Sequence, residues 1–231
     1  MIYLPDPVEG RIRVKLNRFL CAARIDGRDV RAHIPNSGRL AEFFTEGRQA
    51  LFSREPSPAR RTEYSLRAVR HAGRWVCVDS TVPNRLMAEA AGDQALPLFQ
   101  GYDTVRREFA LDHHRFDLAL SGKGRPPLIV EIKSVTLVTK GVARFPDAPT
   151  ARGRSHLDAL ARLRGEGYRC AVMFVIMRSC ARLFTPNHAT DPEFCEALLA
   201  ARAAGVEVHA LRLRVGRRKI NLMGAVEIDL G

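Results

Sequence analysis

The chain has 231 residues, of which 46% are hydrophobic and 27% charged, a composition that is typical of a folded globular protein and excludes global disorder. Its longest unbroken apolar run, from Cys170 to Met177, has eight residues, which excludes a transmembrane helix. Lys and Arg number 37 against 25 Asp and Glu, and the resulting charge of +12 favours a polyanionic partner such as nucleic acid. Arginine enrichment from genome composition is the alternative explanation, because only five of the 37 basic residues are lysines.

The N-terminal segment and the cysteines predict a cytoplasmic protein. Residues 1–10 contain neither the basic segment nor the apolar segment of a secretory signal. The cysteines are odd in number and form no CxxC pair, which indicates reduced thiols rather than disulfides or a zinc site: Cys21, Cys77, Cys170, Cys180 and Cys195. No basic amphipathic helix stands out, so we expect no membrane partner.

The first 82 residues have the alternation and the turn signals of short β-strands. A strand is predicted over residues 11–20, with Ile12, Val14 and Leu16 on one face. Further strands are predicted over residues 21–25, 30–34, 49–53, 64–69 and 74–79, with one short helix near residues 40–44. This order favours a small barrel of the oligonucleotide-binding (OB) type over residues 1–82, although composition alone does not separate it from other small β-barrels.

From Asn84 onward the pattern is that of alternating helices and strands. Asn84 is predicted to cap a helix that ends at Gly92, and Thr150 and Asp191 are predicted to cap two later helices. Strands are predicted over residues 104–111, 116–120, 128–135, 168–177 and 206–213. The order αβββαβαβ predicts an α/β domain with a mixed sheet over residues 83–231.

Two charged residues interrupt the apolar strand over residues 128–135. Glu131 and Lys133 share a face with Ile129, opposite Leu128 and Val130. Burying charge is costly unless the charge is paired or binds a metal. An exposed Glu-Lys pair on an edge strand is the alternative, because this spacing is common.

Asp117 interrupts the preceding apolar strand in a similar way. If the two strands pair around a turn centred on Gly124, Asp117 lies directly opposite Glu131, within about 5 Å. Two such carboxylates repel each other unless a cation lies between them, so we expect them to hold Mg²⁺ or Mn²⁺. Lys133 is then placed to orient an attacking water or to neutralise charge that develops on a phosphate.

An acid followed by an acid-x-lysine on the neighbouring strand resembles the core of the PD-(D/E)xK nuclease fold. Many members of that superfamily carry a further acidic metal ligand on the preceding helix, and Glu89 is the candidate here. Glu108 on the first strand is a rival, and an ordinary solvated position is an equal alternative for Glu89. The Ile132 carbonyl is a further candidate ligand.

Blocks that span nearly the whole chain resemble the sugar fermentation stimulation protein A (SfsA) family. They comprise residues 13–22, 35–38, 82–90, 131–137, 145–148 and 150–153, followed by His156-Leu157. The resemblance implies an OB-like domain joined to a nuclease-like domain, DNA binding and a link to sugar (maltose) catabolism. Ser37, Arg39 and Arg154-Ser155 depart from the family pattern, and the last departure leaves open the role of its helix in substrate binding.

Two groups of basic residues are candidates for nucleic-acid contacts. In the first domain, Arg11, Arg13 and Lys15 share a strand face by parity, and Arg18 follows them. In the second domain, the candidates surround the start of the helix after Thr150: Arg144, Arg152, Arg154 and His156. A solvated strand face and an ordinary basic loop are the alternatives. Phe19 is interpreted as a core residue, with base stacking as the alternative.

The sequence therefore predicts a two-domain protein that binds DNA, or RNA, largely without sequence specificity and has a metal-dependent phosphodiesterase (nuclease) site. A non-cleaving DNA-binding regulator of sugar metabolism is the second hypothesis. An interaction module whose basic faces bind an acidic protein is the third. No particular protein partner can be inferred from the residues.

Overall fold

The computed structural model describes residues 1–36, 38–57 and 59–231, so Ser37 and Pro58 lie outside the described residues. The strands of the first half are β1 (Ile2–Tyr3), β2 (Pro7–Asn17), β3 (Leu20–Ile25), β4 (Arg28–His33), β5 (Gln49–Arg54), β6 (Tyr64–His71) and β7 (Arg74–Cys77). The second half begins with α1 (Val82–Gly92), β8 (Thr104–Leu111), β9 (His114–Ser121), β10 (Leu128–Val135), β11 (Val138–Thr139), β12 (Val142–Phe145) and α2 (Ala151–Gly165). It continues with β13 (Arg169–Ile176), β14 (Leu183–Pro186), α3 (Pro192–Ala203), β15 (Glu207–Val215), β16 (Lys219–Ala225) and β17 (Glu227–Ile228).

Strands β2 to β6 close into a five-stranded barrel. Antiparallel pairs join β2 to β3 and β5, β3 to β4, and β5 to β6. The parallel pairing of β4 with β6, in which Ala32 lies opposite Tyr64, completes the ring. The interior is filled by apolar side chains such as Ile12, Phe43 and Phe52. This topology confirms the predicted OB-like barrel.

A β-bulge in β2 changes which residues share a face. Ile12 pairs with Ala23 on β3, whereas Lys15 pairs with Cys21, and the register shifts at Arg13 between them. Ala23 and Cys21 are two residues apart on β3, so their side chains lie on the same face of the sheet. A residue shares the face of the residue directly opposite it on the neighbouring strand. Lys15 therefore lies on the same face as Ile12.

Both predicted faces of this strand are therefore wrong. Val14 and Leu16, predicted to share a face with Ile12, are 49% and 46% exposed, whereas Ile12 is fully buried. Lys15 no longer shares a face with Arg11. The extra residue of the bulge is the physical reason, because it reverses the side-chain parity beyond it.

The second domain is built on a mixed sheet, as predicted. Strands β8, β9 and β10 form an antiparallel meander, and β10, β13 and β15 run parallel to one another. Helix α1 packs on one face, against residues such as Val130, while α2 and α3 pack on the other, against residues such as Ile129 and Val172. The second domain thus has a central strand, β13, that is covered on both faces.

Short strands join the two halves of the chain and extend the predicted order. Strand β1 pairs with β16, so Ile2 packs in the core of the second domain. Strand β7 meets β15 at Trp75 and Val215, which makes the barrel strands continuous with the second sheet. A separate four-stranded sheet has the order β11-β12-β14-β17.

The three α-helices begin close to the predicted positions. Thr150 and Asp191 accept hydrogen bonds from the N–H groups of Gly153 and Phe194, at 3.1 and 3.0 Å, and cap α2 and α3 as predicted. Asn84 is not a cap, because α1 begins at Val82 and places Asn84 inside its first turn.

All five cysteines carry free thiols. Burial raises the pKa of Cys21 and of Cys170 to about 12, so these thiols stay protonated near neutral pH. Within the described ranges, no helix combines the length and the apolar character needed to cross a membrane.

Candidate functional site

The pairing of β9 with β10 places two carboxylates side by side. Leu118 pairs with Val130, which is the register expected for a turn centred on Gly124. One residue further along, the same register sets Asp117 opposite Glu131. Glu131 lies on the same face of β10 as Ile129, which packs beneath α2 and α3, whereas Asp117 is contacted by Asn84 of α1.

Asp117 is held by a hydrogen bond to each carboxylate oxygen. Its Oδ1 accepts from Asn84 Nδ2 at 2.5 Å, and its Oδ2 accepts from the Ile132 N–H at 2.7 Å. Burial, followed by the nearby charge of Glu131, raises the pKa of Asp117 to about 6. The side chain is fixed in place, but its negative charge is poorly compensated.

Glu131 is buried, with 5% of its surface exposed, and its two oxygens have different surroundings. Oε1 accepts a hydrogen bond from Lys133 Nζ at 2.6 Å and lies 2.6 Å from His156 Nδ1. Oε2 is buried and has no hydrogen-bond partner among the described residues. Burial alone would raise the pKa of Glu131, but the contacts with His156 and Lys133 outweigh it and hold the pKa below its usual value.

A hard divalent cation fits this pair of carboxylates. A buried carboxylate oxygen without a partner is costly, and a cation held by Glu131 and Asp117 would reduce that cost. No three His, Cys, Asp or Glu side chains of the described residues are grouped to hold a metal ion. The chain would thus supply two carboxylates, with the Ile132 carbonyl as a further candidate. Water or substrate oxygens would complete the shell, as is usual for Mg²⁺.

The structure does not bring Glu89 to these carboxylates. Its side chain is 46% exposed and lies 3.5 Å from the Met1 ammonium group. Asn84, five residues earlier on α1, is the helix residue that reaches Asp117. Five residues correspond to about 140° around a helix, so Glu89 and Asn84 point in different directions.

Glu108 lies level with Asp117 in the β8–β9 ladder, between the pairs Arg107–Leu118 and Phe109–Phe116. Its φ of 51° interrupts the extended backbone at this point. Its exposed carboxylate lies 3.7 Å from the Arg115 guanidinium, so its charge is directed to the surface.

A cleft of about 450 Å³ opens between the two domains beside Lys133. Asn84 and Ile132, which both contact Asp117, also line it, so the cleft leads to the two carboxylates. The predicted nucleic-acid contacts that line it are Arg18, Arg144 and Arg152. Neither Arg144 nor Arg152 forms an ion pair with a carboxylate of the described residues. We call this space the interdomain cleft.

A contact between two loops closes one side of the interdomain cleft. The Asp147 carboxylate accepts a hydrogen bond from the Arg39 N–H at 3.0 Å, which joins the β12–α2 loop to the first domain. A Cβ atom on Gly38 would lie 2.9 Å from Asp147 Oδ2, so a side chain at this position would require the Asp147 carboxylate to shift.

The other basic residues predicted in the first domain lie outside the interdomain cleft. Arg11 donates to the Gly47 carbonyl at 2.9 Å, and Arg13 lies 3.1 Å from the Glu46 carboxylate. Lys15 donates to a backbone carbonyl of the first domain at 2.8 Å. The structure does not bring these three residues to the carboxylates.

Two of the predicted nucleic-acid contacts have partners within the protein. Arg154 forms ion pairs with Asp191 and Glu193, both at 3.0 Å, so its charge is compensated within the protein. His156 is 5% exposed and directed towards Glu131, so it supports a carboxylate instead of meeting a phosphate. The partners of Arg154 and His156 are set by the packing of α2 against its neighbours, which the sequence pattern does not reveal.

Asn84 is the residue at this site that the sequence prediction missed. It was interpreted as a helix cap because of its position before an apolar periodic segment. The signal that could have identified it is its place in the block 82–90, one of the segments that carry the family resemblance.

Comparisons with known proteins agree with this architecture. The family model described as the sugar fermentation stimulation protein RE domain matches residues 81–219, and the model of the SfsA N-terminal OB domain matches residues 14–78. A sugar fermentation stimulation protein homolog of Desulforamulus reducens is 40% identical over 230 residues, covering 99% of this chain and 95% of that protein. A homolog of Caldanaerobacter subterraneus is 38% identical over 230 residues and is covered completely.

A solved structure shares the whole fold. SfsA of Pyrococcus furiosus, solved in complex with Ca²⁺, superimposes with a TM-score of 0.90 at 27% sequence identity. The match covers 99% of this chain and 98% of that chain. The arrangement of both domains is therefore similar in the two proteins.

Proposed function

The chain belongs to the sugar fermentation stimulation protein (SfsA) family, and we propose that it is a metal-dependent phosphodiesterase that binds and cleaves DNA largely without sequence specificity. One observation carries the proposal: Glu131 is buried with one unpartnered oxygen, beside Asp117 and Lys133, at a cleft lined by arginines. Carboxylates, lysine and arginines together are suited to a phosphodiester.

The proposed cofactor is Mg²⁺ or Mn²⁺. Ca²⁺ and Mg²⁺ both take oxygen ligands, and the Pyrococcus furiosus relative was solved in complex with Ca²⁺. Asp117 and Glu131 are the proposed ligands in this chain. When bound, the cation would polarise a phosphoryl oxygen and favour ionisation of an attacking water.

The residues of the chain orient the reactants and compensate charge. Asn84 fixes the Asp117 carboxylate, and His156 fixes Glu131 from the opposite side. Lys133 reaches the interdomain cleft and would stabilise negative charge as water bonds to phosphorus and the P–O bond to the leaving oxygen breaks. The attacking water loses a proton to solvent, and the leaving oxygen takes up a proton from solvent.

The proposed lack of sequence specificity follows from the groups that line the interdomain cleft. Guanidinium groups bind phosphate oxygens, and phosphate contacts position a nucleic acid without reading its bases. Arg18, Arg144 and Arg152 are placed for such contacts.

A non-cleaving DNA-binding regulator is the second candidate. Lys133 and His156 both lie 2.6 Å from Glu131 Oε1, so that carboxylate is compensated in part without a cation. The family name links it to sugar fermentation, which would suit a regulatory role.

A cleavage assay separates the two candidates. Labelled single-stranded, duplex and branched DNA would be incubated with Mg²⁺ or Mn²⁺ and wild-type protein, Lys133→Ala or the control Lys123→Ala, whose lysine is exposed in the β9–β10 turn. We expect metal-dependent cleavage by the wild type and the control. Lys133→Ala should cleave at least about 100-fold more slowly while it still binds DNA.

DNA binding without cleavage of any substrate, with the same behaviour for wild type and Lys133→Ala, would reject the nuclease and favour the regulator. Equal loss of cleavage in Lys123→Ala would show that Lys133 has no special role.

A further inference from the structure

A second cavity, of about 680 Å³, lies on the surface of the barrel, and we call it the barrel cavity. It is lined by the β2–β3 turn, by β4 and by the β5–β6 loop, through residues that include Asn17, Phe19, Arg31, His33, Arg60 and Arg61. The barrel strands β2 to β6 correspond to strands one to five of an OB fold. In such folds the face of strands two and three, with the loops 1–2 and 4–5, binds oligonucleotides and oligosaccharides.

Phe19 gives this cavity an unusual surface. Its side chain is 48% exposed, which contradicts its interpretation as a core residue. The Arg18 guanidinium carbon lies 5.3 Å from the centre of its ring. An aromatic ring that remains exposed beside a cation offers a flat apolar surface on which a nucleobase can stack.

The charge around the barrel cavity favours a nucleic acid over a sugar. Arg31 and Arg61 are exposed, and neither forms an ion pair with a carboxylate of the described residues. Arg60 is compensated by an ion pair with Glu55. Two uncompensated guanidinium groups beside an aromatic ring suit phosphates that flank a stacked base.

We propose that the barrel cavity binds unpaired nucleotides, with one base stacked on Phe19 and the adjoining phosphates on Arg31 and Arg61. The nucleotides must be unpaired, because a base within a duplex already stacks on its neighbours and leaves no face for an aromatic side chain. The ligand class is therefore single-stranded nucleic acid.

The barrel cavity and the interdomain cleft are lined by adjacent residues of the chain. Phe19 lines the barrel cavity, and the preceding residue, Arg18, lines the interdomain cleft that leads to Lys133. On this proposal, a single strand held on Phe19 runs past Arg18 towards the carboxylates. This step rests on the proposed nuclease function, and it assigns single strands or the unpaired arms of branched DNA as the substrate.

Binding without cleavage tests the inference separately from catalysis. Fluorescence anisotropy in the presence of EDTA would compare labelled single-stranded and duplex DNA of about 16 nucleotides, enough to span an OB domain. The full-length proteins would be wild type, Phe19→Ala, Arg61→Gln and the control Val14→Ala, which removes a similarly exposed apolar side chain outside the cavity.

We expect the wild type to bind the single strand more tightly than the duplex. Phe19→Ala should weaken single-strand binding about tenfold and leave duplex binding unchanged, because only unpaired bases reach the ring. Arg61→Gln should weaken single-strand binding and lower its salt dependence. Val14→Ala should match the wild type.

The inference is overturned if Phe19→Ala keeps wild-type affinity for the single strand, or if it weakens both forms equally. Failure of the proposed nuclease function would give a different result. A protein that binds single strands through Phe19 but cleaves no substrate would support the nucleotide site and reject the nuclease. If the protein cleaves DNA and Phe19→Ala changes neither its binding nor its cleavage, the nuclease function is supported and the nucleotide site at Phe19 is rejected.

Discussion

At the scale of single residues, the two carboxylates of the site differ in how their charges are compensated. Glu131 lies beside Lys133 and His156, whereas the donors to Asp117 among the described residues are an amide and a backbone N–H. Burial and the charge of Glu131 therefore raise the pKa of Asp117 to about 6. A bound cation would relieve this imbalance, and without one it destabilises the fold.

The first prediction concerns Asp117→Asn in metal-free protein. A carboxyl group whose folded-state pKa lies above its ordinary value of 3.8 destabilises the fold as it ionises, so wild-type stability should fall as the pH rises from about 4 to about 6. The amide has no charge; its oxygen can accept from the Ile132 N–H, and its NH2 group can donate to the Asn84 oxygen once the Asn84 amide is turned round. We expect Asp117→Asn to be more stable by about 1–3 kcal/mol near neutral pH, with the gain lost below about pH 4, in urea unfolding with EDTA.

Asp158→Asn, which changes an exposed carboxylate on α2, is the matched control and should leave stability unchanged. Adding Mg²⁺ should stabilise the wild type and not Asp117→Asn. A lower stability of metal-free Asp117→Asn near neutral pH would contradict the strain assigned to this carboxylate.

The sequence predicts some of these residues and not others for a physical reason. Asp117 and Glu131 could be paired because an antiparallel register follows from the position of the turn, here Gly124. Asn84 and His156 reach the carboxylates from helices on opposite faces of the sheet. Their roles depend on how α1 and α2 pack, and local sequence patterns do not determine that packing.

At the scale of elements, the long periodic segments were predictable and the short or irregular ones were not. Strand β10 and the helix caps at Thr150 and Asp191 agree with their sequence signals. The bulge at Arg13 carries no such signal, and it moves Lys15 to the other face. Strands β11, β12, β14 and β17 have two to four residues each, too few for an alternating pattern to show.

Asp191 ties together the two helices that cover the site. Its Oδ2 accepts a hydrogen bond from the Thr150 N–H at 2.7 Å, and its Oδ1 caps α3 through the Phe194 N–H. Arg154 pairs with the same carboxylate. Because Asp191 is 3% exposed, its removal would leave several buried donors without partners.

The second prediction is that Asp191→Ala lowers the free energy of unfolding by about 2–4 kcal/mol, from the loss of a helix cap and of a buried partner for Arg154. Glu193→Ala removes the other carboxylate that pairs with Arg154, but its side chain is 71% exposed. It should cost less than about 1 kcal/mol. Equal losses in the two variants, measured by urea unfolding, would contradict a structural role for Asp191 beyond its ion pair.

At the scale of the whole molecule, both domains contribute basic residues to the interdomain cleft. The barrel contributes Arg18 to the interdomain cleft, and the second domain contributes Arg144 and Arg152. The net charge of +12 would attract a nucleic acid from a distance, and these three residues would hold its phosphates.

The third prediction is a steep fall of DNA affinity with salt. Binding to mixed-sequence DNA should follow a linear plot of log K against log salt concentration, and Arg152→Ala should reduce the slope by about one. Arg202→Ala removes an exposed arginine of α3 that does not line the cleft, and it should leave the slope unchanged. If wild type and Arg152→Ala show the same slope, the interdomain cleft is not part of the DNA-binding surface.

Diffraction from crystals soaked in Mn²⁺ gives the most direct view of the proposed metal site. We expect an anomalous peak between Asp117 and Glu131 Oε2, with both carboxylates in the first coordination shell, and no peak there in crystals of Asp117→Asn. A crystal that takes up Mn²⁺ elsewhere, or not at all, while Glu131 stays held by Lys133 and His156, would contradict a metal-dependent site.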